Sequence, residues 1–222
     1  MLRLGNSLVS GSVSSELTVA DISGLAHWYQ YQTGITLDTT NVDQWDDQVG
    51  SNHLSKSGSS NIPYNSGDID FDTNGGKMSF ASTFDPGSFS FYIVFKINVS
   101  VSNEEIANSD SSNFFRLNNA SQARIRIGDT TNNDIDLSSS LAAGSFHAVG
   151  IEWDGTNIAI YNSAGSAIGT ATDSDTFAGL SSIGLRGNQF DGHIREIILF
   201  NNELRAADRT IVFNRLNTIK SI

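Results

Sequence analysis

Cysteine is absent from the 222 residues, which excludes a disulfide framework and a thiolate metal site, so the fold must rest on its apolar core. Basic residues are scarce: 13 Lys and Arg stand against 24 Asp and Glu, a formal net charge of -11. Binding to a phosphate backbone needs a basic surface that displaces counterions, so nucleic acid is not an expected partner. Apolar runs of ~18 residues are missing too, and the N-terminus carries Arg3 without the apolar stretch of a signal peptide. The expectation is a chain that does not span a membrane. Also missing are a Gly-rich phosphate loop, a G-x-S-x-G elbow, an H-E-x-x-H pair and a Cys/His cluster. No catalytic residue is assigned, and the chain is expected not to be an enzyme.

What is present is turn chemistry. The 20 glycines, with many Ser, Asn, Thr and Asp, favour strands joined by tight turns, and the length suits one all-β domain. Residues 1–19 are Ser- and Gly-rich and read as an N-terminal arm or linker. They form either a disordered tail or an attachment arm whose Leu2, Leu4, Leu8, Val9 and Val13 are buried in an assembly. Residues 20–222 are the expected domain.

Strands are the dominant pattern there. FSFYIVFKI, Phe89 to Ile97, is apolar on both faces and fits a central, fully covered strand. His147, Val149, Ile151 and Trp153 alternate with Ala148, Gly150 and Glu152 before a turn at Asp154-Gly155, a hairpin signal. A further strand runs from Ile194 to Phe200. Strict alternation places Gly192, Ile194, Glu196, Ile198 and Phe200 on one face and His193, Arg195, Ile197 and Leu199 on the other. One of Arg195 and Glu196 must then lie near buried surface and needs a partner. An amphipathic helix comes next, with Leu204, Ala207, Ile211, Val212, Leu216 and Ile219 on one face.

These stretches together resemble the laminin-G-like domains of the concanavalin A-like lectin/glucanase superfamily, in the form found in bacterial and tailed-phage surface proteins. The opening passage is similar at Leu25, Trp28, Trp45, Asp47, Gly50, Asn52, Leu54 and Pro63, around a W-x-D-x-x-G turn. The hairpin is similar at His147, Val149, Trp153, Asp154, Gly155, Tyr161 and Gly165, and the close at Gly192, Ile194, Glu196, Ile198 and Leu204. The resemblance implies a jelly-roll β-sandwich of two antiparallel sheets with a short C-terminal helix. Lack of cysteine departs from eukaryotic extracellular members, which often carry a disulfide.

Glucanases of this superfamily carry acids at alternate strand positions, and Asp68, Asp70 and Asp72 occupy such positions here. Their side chains are one methylene shorter than Glu, and Asn-Gly-Gly follows in place of a continuing strand, so an acidic strand leading into a turn is preferred to a glycoside hydrolase. Asp46 and Asp47 are candidate calcium ligands, or caps of their own turn. No other cofactor is expected. Tyr31 and Tyr64, in polar segments, are candidate glycan-stacking residues. Arg124 and Arg126, facing away from Ile125 and Ile127 and joined by Arg116, either engage an acidic saccharide or balance an acidic surface. Trp45 reads as a core anchor and His147 as a satisfied strand-end histidine.

Two functions stand. One is a carbohydrate-binding or adhesion module; the other is a structural or decoration protein that contacts neighbouring subunits and docks on a virion through its arm, where it either stabilises the particle or binds host glycan. Arm, composition and resemblance favour a phage virion surface over the alternative, a secreted bacterial adhesin. Homo-oligomers are a further expectation without a residue to support them.

Overall fold

The computed structural model describes residues 17–58, 61–71, 76–109, 113–128, 131–184 and 190–222. Residues 1–16 of the expected arm, and Asp72, lie outside the described residues. The first strands are β1 (Leu25–Tyr29), β2 (Ile35–Asp38), β3 (Asn41–Trp45), β4 (Leu54–Lys56), β5 (Tyr64–Asn65) and β6 (Asp68–Phe71). Next come β7 (Lys77–Phe84), β8 (Phe89–Ile97), β9 (Glu104–Asn108), β10 (Asn113–Asn119), β11 (Gln122–Ile125) and β12 (Asn133–Asp136). The chain continues through β13 (His147–Trp153), β14 (Asn157–Tyr161), β15 (Ala167–Thr172), β16 (Leu180–Gly184) and β17 (Gly192–Phe200) to helix α1 (Ala206–Lys220).

Two antiparallel sheets form a jelly-roll sandwich. One runs β15-β14-β13-β8-β17-β6-β5 with β1 also on β17; the other runs β12-β11-β10-β9-β16-β7-β4-β3-β2. Alternation fills the space between them. Phe89, Phe91, Ile93 and Phe95 of β8 meet Phe114 and Phe115 of β10, all at most 1% exposed. Trp45 is 1% exposed in the same core, where Tyr29 packs on it at 5.7 Å between ring centroids.

The other side of β8 is covered as well, because α1 lies across β8, β13 and β17. Tyr92, Val94, Ala148 and Ile198 from the sheet pack with Val212, Phe213, Leu216 and Ile219 from the helix. Burial of each such side chain contributes roughly 1.5–3 kcal/mol. The expected helix face needs two changes: Leu204, though buried, precedes α1, and Ala207 is exposed while Phe213 is buried. Phe213 fits because Gly150 beneath it has no side chain; a Cβ there would stand 2.5 Å from the Tyr92 ring and 3.3 Å from that of Phe213. Val19, the last residue of the expected arm, is 2% exposed and belongs to this same cluster.

Strand β17 also differs from strict alternation. Its free edge is shared, β6 pairing with Gly192 to Ile194 and β1 with Ile197 to Phe200. Where one partner gives way to the other, the register against β8 shifts between Ile194 and Glu196. Such a bulge places one extra residue in the strand and reverses the facing of the residues beyond it. Arg195 and Glu196 therefore both bond to the helix side, while Ile197 and Leu199 turn into the sandwich core and Ile198 and Phe200 face α1. Both charges are paired: Arg195 Nε donates to Asp68 at 2.7 Å, and Glu196 accepts from Arg215. Arg195 also donates to the Ile219 carbonyl at 3.0 Å, bringing its positive charge to the C-terminal end of α1.

Candidate functional site

Among the described residues no helix covers the second sheet, and its outer surface holds an array of bonded polar side chains. Ala123 and Ile125 of β11 and Phe115 and Leu117 of β10 point into the core, so Arg116, Arg124 and, just past β11, Arg126 point outward. Arg116 stands directly opposite Arg124. Like charges in that relation repel, so the arrangement is held by its neighbours. Arg124 makes a two-pronged contact with Asp134 of β12, at 2.6 and 2.8 Å. Asn118 accepts from Arg116 Nε at 2.9 Å and donates to both Asp134 and Gln122 at 3.0 Å. Gln122 donates to Asp136 at 2.8 Å, and the side-chain Oδ1 of Asn132 accepts from Arg126 at 2.9 Å and 2.5 Å.

The result is a lattice of guanidinium, amide and carboxylate groups whose rotamers are set by one another. Burial and the neighbouring Arg124 lower the Arg116 pKa, with Arg126 adding to the effect, whereas Glu105 and Asp134 oppose it. Bonding to Arg124 holds the Asp134 carboxyl below its usual range. Three guanidinium groups are thus gathered beside the carboxylates of Asp134 and Asp136, on a chain of net charge -11. The chemistry available is recognition of a planar anion by guanidinium groups, with amides for adjoining hydroxyls.

The tyrosines expected to stack on a glycan are elsewhere. Tyr31 is 9% exposed, with the Arg195 guanidinium 5.5 Å from its ring centre. Tyr64 lies on β5, at the edge of the helix-covered sheet, half-buried beside Tyr31 and Asp68; burial raises its pKa first and those neighbours add to it. So the structure brings Arg124 and Arg126 together, and Tyr31 and Tyr64 together, on different sheets.

Asp46 and Asp47 are both engaged within the protein. Asp47 Oδ1 accepts from the backbone N–H groups of Trp28 and Val49, both at 3.0 Å, and Oδ2 meets His27 Nδ1 at 2.9 Å. Burial would raise its pKa, but these bonds together hold it low. Asp46 accepts from Gln44 at 2.6 Å. Among the described residues no group of three or more His, Asp or Glu could hold a metal ion. The reach of Asp47 to His27 has no sequence signature, since 20 residues separate them.

Asp68 and Asp70 lie on the helix side of β6, with Ile69 and Phe71 in the core. Asp68 is committed to Arg195 and Asp70 to Asn65, at 2.7 and 2.8 Å. His193 sits between them, 3.9 Å from Asp68 and 3.8 Å from Asp70, its Nδ1 buried without a hydrogen-bond partner among the described residues. His147 is satisfied by the Ala142 carbonyl at 2.8 Å.

No family model and no curated protein matches the chain. Solved structures do. A Trypanosoma rangeli sialidase in complex with sialic acid is similar over 90% of this chain and 34% of its own, at 12% identity and a TM-score of 0.60. A mutant of that sialidase displaying trans-sialidase activity gives 13% identity, 88% and 33% coverage and a TM-score of 0.60. Botulinum neurotoxin type C, in a structure concerned with cell entry through two ganglioside molecules, gives 17% identity, 90% and 53% coverage and a TM-score of 0.61.

These likenesses show a shared sandwich fold. The chain spans about a third of the sialidases and about half of the toxin chain. One expectation is corrected by them: the chain was expected not to be an enzyme, yet its fold recurs within sialidases, so absence of familiar motifs does not exclude catalysis. Nor does any helix among the described residues have the length and apolarity to cross a membrane.

Proposed function

We propose that this protein is a surface glycan-binding module whose ligand carries a carboxylate, and that the lattice of Arg116, Arg124 and Arg126 binds it. The observation that carries the reading is the cross-strand pair Arg116 and Arg124. Arg124 is paired with Asp134 and Arg116 with the neutral amide of Asn118, so an anion that reaches both guanidinium groups would relieve the repulsion between them in competition with Asp134. The surrounding amides of Asn118, Gln122 and Asn132 suit the hydroxyls of a sugar ring. Two structural neighbours support the chemical class: a sialidase holding sialic acid and a neurotoxin that depends on gangliosides.

Display on a phage virion, with the N-terminal arm as the attachment, is the finer reading and is supported by the sequence resemblance alone. The experiment that tests the function is a glycan array run at low and physiological salt, with sialylated and uncharged glycans side by side. Saturable binding of the acidic set, weakened by salt and lost in Arg116→Ala, is expected. Equal binding of both sets, or none, would remove the proposal. Release of sialic acid should be followed on the same samples.

A further inference from the structure

A groove of about 600 Å³ lies on the opposite side of the molecule from the arginine lattice, between α1, Trp28 of β1 and the turn at Val19–Asp21. Ligand sites commonly occupy ~300–1,000 Å³, with apolar walls and a few convergent polar groups. Here the helix contributes Ile211, Asn214, Arg215 and Thr218, a spacing that lines one face of α1. Leu17, Thr18 and Val19 form the facing side.

The aromatic in this groove is fixed in advance. Glu196, 0% exposed, accepts the indole N–H of Trp28 at 2.9 Å and two guanidinium N–H groups of Arg215 at 2.8 Å each. Arg215 lies 5.8 Å from the Trp28 ring centre. Neither side chain needs to be ordered when a ligand arrives, which removes part of the entropic cost of binding. The pairing also decides the charge of the ligand, because Arg215 is already neutralised and the groove does not require an anion.

Its hydroxyls decide the hydrogen-bonding sense. Thr218 Oγ1 donates to the Asn214 carbonyl at 3.1 Å, and Thr18 Oγ1 donates to Asp21 at 2.8 Å. Each hydroxyl hydrogen is used within the protein, so each oxygen can only accept from a ligand. A half-buried indole, an aliphatic wall, two acceptor hydroxyls and the Asn214 amide suit a molecule with one apolar face and several O–H donors. We infer that this groove is a second ligand site, for an uncharged pyranoside stacked on Trp28 and bonded to Asn214, Thr218 and Thr18. The inference does not rest on the acidic-glycan reading of the other sheet.

The test uses a property of the chain. Of its three tryptophans, Trp45 and Trp153 are 1% and 4% exposed in the core, while Trp28 is half-buried at the groove, so a change in emission on binding there is assigned to Trp28. The full chain is titrated with methyl glucoside, methyl galactoside and N-acetylglucosamine. A saturable emission change is expected with at least one of them. Thr218→Phe, at an exposed helix position, fills the groove and should abolish it; Asn214→Ala should weaken it about fivefold. Arg116→Ala should leave it unchanged, which separates this site from the lattice. Far-ultraviolet circular dichroism confirms that each variant is folded. The inference is overturned by no saturable change with any of the three sugars, as when another part of the chain fills the groove, or by an undiminished change in Thr218→Phe.

Discussion

Arg215 Nε and Nη2 each donate to one oxygen of the Glu196 carboxylate at 2.8 Å, tying the middle of α1 to the bulge of β17. Removal of the arginine would leave a fully buried carboxylate with, among the described residues, Trp28 Nε1 and the Tyr31 N–H to oppose it. Arg215→Ala should therefore lower unfolding stability by about 3–5 kcal/mol in urea titration. Arg205→Ala is the control. That side chain is 85% exposed and pairs with Asp208 at the helix start, so its loss should change stability by less than ~1 kcal/mol.

Acid should weaken the fold through His193. Burial lowers its pKa first; Lys96 lowers it further, and Asp70, Asp68 and Asp191 oppose without prevailing. Between that lowered value and the unfolded value of about 6.5, the unfolded chain holds the more protons, so stability falls as pH drops through this window. Asp47 adds a second acid loss at lower pH, where its carboxylate is protonated and its bonds to His27, Trp28 and Val49 fail. Melting temperature measured against pH should fall less steeply below about pH 6.5 in His193→Gln than in the parent. An identical slope in both would assign the acid sensitivity elsewhere.

Much of the sandwich could be read from residue order. Asp154-Gly155 and the alternation before it specify the β13–β14 hairpin, and the run from Phe89 to Ile97 reads as covered on both sides because it is. The alternation of Ile125 and Ile127 with Arg124 and Arg126 likewise put the arginines outside. Their partners were not legible, because Asn118, Asp134 and Asn132 arrive from neighbouring strands whose register the sequence does not state. Parity in β17 failed at Arg195 for a related reason: a bulge forced by two partners sharing one edge changes facing without changing composition. The Trp28 groove was hidden most fully, since it joins Thr18, Trp28 and Asn214 only after α1 has docked.

Gly184 offers a backbone test at the end of β16. Its φ is +90°, and an added Cβ would stand 2.4 Å from the Gly76 carbonyl oxygen. Gly184→Ala meets both an unfavourable dihedral and a backbone contact, and should cost about 1–3 kcal/mol or more in thermal or urea unfolding.

Asp134 competes with any anion for Arg124. Its replacement by Asn keeps the shape and removes the charge, while the surface ion pair itself contributes little to stability. Asp134→Asn should therefore fold normally, bind acidic glycans about fivefold more tightly and show a steeper salt dependence, by isothermal calorimetry at two ionic strengths.

Binding of an acidic glycan at the arginine lattice is best probed by an amide and arginine side-chain NMR titration with sialyllactose, against lactose as the uncharged control. Saturable shifts are expected for Arg116, Arg124 and Arg126 Nε–H and for β10 to β12, with sialyllactose alone. Shifts that lie elsewhere on the molecule, or that lactose reproduces on the same residues, would contradict binding at the lattice.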